Sequence, residues 1–542
     1  MAKIHGGQII ARALKAEGVD TLFTLTGGHI VPILDGCLQE GFRIVDVRHE
    51  QTAAHAAEAY TRLTGKLGVA AVTAGPGVTD TITGVATAYY GSTPMLVLGG
   101  RHLIRQELKG GLQEMDHTRL FHSITNWTAT AWQVDRLADY VATASRHAFE
   151  GRGGPVFLDV PMDVQFDMVE ETAVRFPEAY RHLAGSGADD AALSEIVSTL
   201  ASAERVMIFA GAGSRSGEAN RLAELAEALQ APTYVNSRAR GSLPHDHAFL
   251  GGHLRSRAMA EADVVLALGV DWDFRTAYGD KISSEATVIQ IDADATKIGW
   301  NRAAHVAVVA DPMAVVSQLV DISDIRRSET PVWTKEIMDA ESEKTEEALQ
   351  AAEDDSSPIM PHRFAKEVAD FFGTDSVVSM DGGDIVSTTA RWLKVSNAGH
   401  VLDPGPFGTL GTGAPYAIAA KTVFPEKTVG IVFGDGGFGF NGMEYDTMVR
   451  LGLPIIGVVG NDGVWSNIKT FHRMAFPDRL VATDLGVRPY HEMVKGLGGY
   501  GEFVDDPNEI RPALERARDS GLPALVNVHL AETMRMSSNY SQ

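Results

Sequence analysis

Two acids set 27 residues apart carry the sharpest chemical signal in this sequence. An apolar run ends in Gly434-Asp435-Gly436-Gly437, and a second apolar run, one helix length later, ends in Asn461-Asp462. A strand–helix–strand unit in a parallel sheet brings both strand ends to one edge. There two carboxylates can converge on a hard divalent cation, and Mg²⁺ suits a site that phosphate oxygens complete. Gly436 and Gly437 would let backbone N–H groups approach that phosphate. The plain alternative is two ordinary turns, since Asp and Gly both favour them. A further acid, Glu50, stands in Val47-Arg48-His49-Glu50-Gln51, where an apolar strand gives way to a helical pattern. It is either a first-turn acid that complements the helix dipole or, if buried, a carboxyl whose raised pKa suits acid–base work. The run Gly211-Ala212-Gly213-Ser214-Arg215-Ser216-Gly217 resembles a dinucleotide-binding loop but has one residue too many, so a simple strand-to-helix turn is at least as good a reading.

The elements that must position these residues fall into three blocks. Residues 1–170 alternate apolar runs (21–25, 43–47, 67–74, 94–100, 155–161) with helical patterns. Residues 190–322 repeat the alternation, as do residues 359–532. Such alternation predicts an α/β protein of three doubly wound parallel-sheet domains, with ligands at the carboxyl ends of strands. Between the last two blocks, 323–358 is polar and acidic and reads as a solvated helix and linker. Residues 533–542 read as a flexible tail.

The formal charge is 47 − 70 = −23 over 542 residues. A chain so acidic is expected to repel nucleic acid and anionic membrane. It has no run of 18 apolar residues and no apolar stretch near its amino terminus, so neither a membrane span nor a signal peptide is expected. The single cysteine, Cys37, cannot form an internal disulfide, which fits a reducing, cytoplasmic setting.

Together these stretches resemble the thiamine-diphosphate enzymes of the acetolactate synthase, benzaldehyde lyase and 2-hydroxyacyl-CoA lyase group, over nearly the whole chain. The resemblance implies a pyrimidine-binding domain at 1–170, a central domain at 190–322 and a pyrophosphate-binding domain at 359–532. It implies thiamine diphosphate and Mg²⁺ as cofactors, with Asp435, Asp462 and the Val464 carbonyl on the metal. The family's usual second Asn is Asp462 here, a departure that keeps an oxygen ligand and adds a negative charge. Gly460-Asn461-Asp462-Gly463-Val464-Trp465 looks most like the 2-hydroxyacyl-CoA lyases. The cofactor would also meet Thr73, Asp381, Gly382, Gly383, Gly408, Leu410, Gly436, Gly437 and Trp465. Leu410 would prop it into a bent shape. Glu50 would hydrogen-bond the aminopyrimidine ring and favour the tautomer that activates the thiazolium carbon. His29 and Gln113 match the loops that present an active-site His and Gln in benzaldehyde lyase. The His would relay a hydroxyl proton, and the Gln would hold the substrate oxygen.

The implied activity is carbon–carbon cleavage of a 2-hydroxyacyl-CoA to formyl-CoA and an aldehyde or ketone, or a related acyloin cleavage. CoA needs cations in an acidic protein, and Arg215, Arg255 and Arg257 in the central block are the candidates. Glu492 is a further candidate acid or base, with a surface or capping acid as its alternative. The second activity is an acetolactate-synthase-type transfer between 2-keto acids, with FAD an option in the central domain. A nucleotide-dependent oxidoreductase is the weakest reading, because no acidic ribose reader follows the Gly211–Gly217 loop at the expected distance. The family places its cofactor between two subunits, so a homodimer is the minimum active unit and a homotetramer a common one.

Overall fold

The computed structural model describes residues 3–177, 185–214, 221–394 and 396–533. Among these residues three parallel six-stranded sheets form, each flanked by helices. The first runs in the spatial order Arg43–Asp46, Thr21–Leu25, Gly68–Val72, Met95–Arg101, Pro155–Pro161, Trp127–Thr130. Its inner strands from Gly68, Met95 and Pro155 are buried at every residue, as a sheet covered on both faces requires. The second runs Leu250–Gly251, Thr233–Val235, Val206–Ala210, Val264–Leu268, Thr287–Asp292, Val306–Val309. Its edge strand alternates buried and exposed positions, and the central pair is buried throughout. The third runs Val401–Leu402, Val377–Asp381, Val429–Gly434, Ile456–Asn461, Ala524–His529, Tyr500–Val504.

Each order doubles back after its first pairings, which creates a switch point between two inner strands. In the first sheet it lies between Thr21–Leu25 and Gly68–Val72. In the second it lies between Val206–Ala210 and Val264–Leu268, and in the third between Val377–Asp381 and Val429–Gly434. Helices leaving a switch point diverge to opposite faces and open a crevice above the strand ends. The candidate residues gather at two of these crevices.

The acidic segment holds a helix, Val332–Ala351, most of which is solvated. It nevertheless buries Trp333, Ile337 and Glu341. Glu341 accepts the N–H groups of His253 (2.8 Å) and Leu254 (2.7 Å) and the Tyr234 hydroxyl (3.0 Å). One acid of the run is thus a buried brace for the helix Arg255–Glu261, because its oxygens satisfy donors that would otherwise be stranded. By internal contacts the chain forms two compact units: the first sheet together with residues 404–426 and 440–455, and the second and third sheets together. Among the described residues no helix is long and apolar enough to cross a membrane.

Candidate functional site

At the first sheet's switch point, four candidate residues meet around one turn, Thr73-Ala74-Gly75-Pro76-Gly77. His29 follows strand Thr21–Leu25 in a short 3₁₀ turn, and its Nδ1 lies 3.1 Å from Thr73 Oγ1. Its carbonyl accepts from Gln165 Nε2 at 2.7 Å, and Gly100 has no side chain where a Cβ would press on it. Burial lowers the His29 pKa, and the neighbouring His102 and His117 lower it further. Gln113 reaches the turn from an exposed loop. Its backbone is left-handed (φ 59°), and a Cβ on Gly75 would stand 2.8 Å from its Cβ. Gly75 itself has φ 61° and ψ −112°, a conformation that suits Gly alone. Glu50 completes the group: a Cβ on Gly77 would stand 3.2 Å from its Oε1. The glycines of this turn therefore leave room for the groups that surround it.

Glu50 is the first residue of helix Glu50–Thr64, which His49 caps by accepting from Gln51 N–H and Gly65 ends in the left-handed region. The carboxyl is buried, and burial pushes its pKa up. The Asp80 charge adds to the rise, while the helix N-terminus and His49 oppose it. The strand end before Glu50 has a support that the sequence reading missed. Glu444, itself 1 % exposed, accepts the Arg48 N–H with both oxygens (3.1 and 3.2 Å) and the Thr447 hydroxyl at 2.6 Å. Gly408 and Leu410 lie in the same compact unit, after a short 3₁₀ turn, with Gly408 left-handed (φ 65°) and open space where its Cβ would be.

The second compact unit holds the acid pair. Asp435 directly follows the strand Val429–Gly434 and is buried, accepting from Gly436 N–H (2.8 Å) and Gly463 N–H (2.9 Å). Asp462 accepts from Val464 N–H (3.2 Å) and from the Ser466 hydroxyl. Burial, and then the charge of Asp462, push the Asp435 carboxyl up to about 7. Burial raises Asp462 as well. Asn461 does not share this site, because its amide donates to Asn527 Oδ1 (3.0 Å) and the Arg488 carbonyl (3.1 Å). The Asp462 charge falls on the buried Asp435 carboxyl, and a divalent ion held by both acids would offset it. The adjoining backbone is shaped for close approach. Gly436 packs against the Trp465 ring, and Gly437 leaves 2.8 Å between a hypothetical Cβ and Asp381 Oδ1. Gly382 has φ 129°, and a Cβ on Gly383 would stand 2.6 Å from Asn467 Nδ2. This donor set fits a Mg²⁺–diphosphate group: hard oxygens for the ion, and glycine backbone with an amide for the phosphates.

Other candidates are engaged by partners outside these two groups. Glu492 is exposed and binds Lys495 (2.8 Å) and His491 (3.4 Å) on its own helix. Arg257 is exposed and held by Glu261 at 2.8 Å. Arg255 is half-buried, stacks on Phe209 at 5.3 Å and donates to the Arg275 carbonyl at 2.7 Å. Burial lowers its pKa, with Arg240 and Arg275 adding to the effect. Arg215 lies outside the described residues, as does the tail beyond Thr533. The glycines Gly211, Gly213 and Gly269 at the second sheet's switch point pack on one another's backbone, which accounts for them without a nucleotide.

Residues 4–120 match the family model for the N-terminal TPP binding domain of thiamine pyrophosphate enzymes, 193–319 the central domain and 381–528 the C-terminal TPP binding domain. The chain is 39% identical over 529 residues to a probable acetolactate synthase of Mycobacterium bovis, covering 97% of this chain and 95% of that protein. It is 33% identical over 582 residues to 2-hydroxyacyl-CoA lyase 2 of Caenorhabditis elegans and 32% over 577 residues to that of Homo sapiens, covering 98% of this chain and 90% of each relative. With the N-terminal, central and C-terminal domains all matched, the chain belongs to the thiamine pyrophosphate enzymes and is a thiamine-diphosphate-dependent enzyme.

Proposed function

We propose that this enzyme is a carbon–carbon lyase that cleaves a 2-hydroxyacyl-CoA to formyl-CoA and an aldehyde or ketone, with a related acyloin cleavage open to the same site. The carrying observation is the grouping of a buried His29 with Gln113, Thr73 and Glu50 around the Gly75 turn. Cleavage beside a hydroxyl requires a base for the hydroxyl proton and a donor for the oxygen. With Nδ1 engaged by Thr73, His29 Nε2 is the nitrogen left to take that proton. The Gln113 amide holds the oxygen. Glu50 binds the cofactor's aminopyrimidine and keeps a proton at that ring, a task its raised pKa suits. Asp435, Asp462 and the Val464 carbonyl hold Mg²⁺. Asp381, Gly382, Gly383, Gly436, Gly437 and Trp465 line the diphosphate, and Gly408 and Leu410 support the cofactor's ring. When bound, thiamine diphosphate would supply the electron-withdrawing thiazolium ring that takes up the electron pair of the broken bond. Arg255 is the cation retained for the CoA phosphates. Arg257 is engaged by Glu261, and Glu492, a solvated acid, has no part in this reading.

The working unit in this reading is a homodimer or a dimer of dimers in the cytoplasm. A second reading, transfer between 2-keto acids, is favoured by the 39% identity to proteins named acetolactate synthase. One assay separates the two. Purified protein with thiamine diphosphate and Mg²⁺ is given 2-hydroxyacyl-CoA esters, or pyruvate, with products followed by mass spectrometry. Formyl-CoA supports the lyase; acetolactate without formyl-CoA overturns it.

A further inference from the structure

Asp159 is a charge in the middle of Pro155–Pro161, a strand buried at every position. It is 0 % exposed, and a carboxylate placed there needs strong partners. It has two. Oδ2 accepts from Arg101 Nη1 at 2.8 Å, and Oδ1 lies 3.0 Å from His117 Nδ1. His117, also wholly buried, accepts the Gly75 N–H at Nε2 (3.0 Å). A ring that accepts at Nε2 must carry its proton on Nδ1, so it donates to Asp159. The second partner leads to the Gln113 loop. Arg101 Nη2 binds both oxygens of Glu107 (3.0 and 2.9 Å), and Glu107 holds His102 Nε2 at 2.9 Å. Glu114, beside Gln113, closes the same loop by accepting the N–H groups of Gly111 (2.7 Å) and Leu108. One buried carboxylate therefore anchors both the turn that His29, Glu50 and Gln113 surround and the loop from which Gln113 comes.

We propose that Asp159 and His117 are positioning residues: Asp159 fixes the His117 tautomer, His117 fixes the Gly75 amide, and the two together set the stance of Gln113 against the Gly75 turn. The relay meets the proposed reacting groups through the Gly75 turn and the Gln113 loop, and both residues are wholly buried, so neither touches substrate. The proposal rests on the reading of Gln113 and His29 as the pair that faces substrate. An Asn at 159 can satisfy Arg101 through its oxygen, but its NH₂ then faces His117. The ring must accept at Nδ1 and carry its proton on Nε2, opposing the Gly75 N–H.

The test uses the enzyme loaded with thiamine diphosphate and Mg²⁺ and has three readouts. Selective ¹⁵N labelling of histidine reads the His117 tautomer. Hydrogen exchange reads the Gly75 amide, and steady-state kinetics read kcat and KM. In Asp159→Asn the His117 proton is expected to move to Nε2, and Gly75 exchange to rise about tenfold, the value of one lost hydrogen bond. The kcat should fall at least as far, with KM and cofactor affinity held. His117→Gln, whose amide can accept from Gly75 and donate to Asp159, should keep exchange within about threefold of wild type, whereas His117→Leu should behave as Asp159→Asn. An Nδ1–H tautomer retained in Asp159→Asn, or unchanged Gly75 exchange in His117→Leu, overturns the proposal. The expected tautomer and exchange, in an enzyme that makes no formyl-CoA, uphold the relay and remove only the lyase reading.

Discussion

Replacing Gly75 by Ala tests the geometry on which the first crevice depends. Two costs follow from the structure. The backbone at φ 61°, ψ −112° is outside the regions open to a residue with a Cβ, which costs about 1–3 kcal/mol. The new methyl would stand 2.8 Å from Gln113 Cβ, 3.1 Å from its Cα and 3.2 Å from its carbonyl oxygen, an overpacking of a further 1–3 kcal/mol or so. The fold can escape the second cost by moving the Gln113 loop, most of which is exposed, but not the first. Escape displaces the Gln113 amide, and a misplacement of about 1 Å can cost on the order of 100-fold in rate. The expected phenotype is therefore modest destabilisation with a large loss of kcat. Gly110→Ala is the control: its φ is 71° and nothing lies within 4 Å of its Cβ. It should carry a backbone cost of about 1 kcal/mol and keep kcat within about twofold. Thermal unfolding and steady-state turnover of both variants decide the matter. If Gly75→Ala turns over like Gly110→Ala, the packing of Gln113 on the turn does not matter to catalysis, and the grouping loses its meaning.

Glu50→Gln should keep thiamine diphosphate affinity within a few-fold and lose about 10²–10⁴ in kcat. It should also be the more stable protein at pH 8. A folded pKa raised by burial means that ionisation costs stability above that pKa, a cost absent once the carboxyl is protonated in both states, so the advantage should vanish in melts near pH 4. Asp462→Asn should still bind Mg²⁺ through its remaining oxygen but with affinity lowered about tenfold by calorimetry, and chelation should silence either protein reversibly. Glu444→Ala strands the Arg48 N–H and the Thr447 hydroxyl; a loss of about 2–4 kcal/mol is expected by denaturant unfolding, with a fall in kcat because Glu50 stands two residues from the freed amide. Arg255→Ala should raise KM for a CoA ester at least about tenfold while sparing a 2-hydroxy ketone that lacks CoA; equal effects on both would make it a structural residue.

The three sheets were readable because a parallel strand buried on both faces has nothing but apolar residues to show, as Gly68–Val72 and Val206–Ala210 do. The acid pair was readable because a strand end must turn, and Gly-Asp-Gly-Gly turns while presenting an acid. The convergence of His29, Thr73, Gln113 and Glu50 was not readable from their positions, which span 85 residues of sequence. What joins them is the switch point, a property of strand order that no local pattern encodes; only the resemblance to the family linked them. Charge type also misled at single residues. In the acidic segment most carboxylates are solvated, yet Glu341 is a buried brace, and nothing in the run Glu341–Glu347 marks it out.

One signal was present and unused. Asp159 interrupts Pro-Val-Phe-Leu-Asp-Val-Pro, an otherwise apolar strand. A lone carboxylate at such a place costs several kcal/mol unless cations or donors surround it, so its presence implies partners drawn from elsewhere in the chain. Arg101 ends the next strand, and His117 opens the short helix His117–Phe121, so both lie at the strand ends where a crevice forms. The same reasoning applies to Glu444, an acid buried beside a strand end. In both cases the charge is held where its donors are the backbone amides and side chains that frame the candidate site. A buried carboxylate in a strand of this family is therefore better sought as the anchor of a catalytic loop than dismissed as an accident of the core.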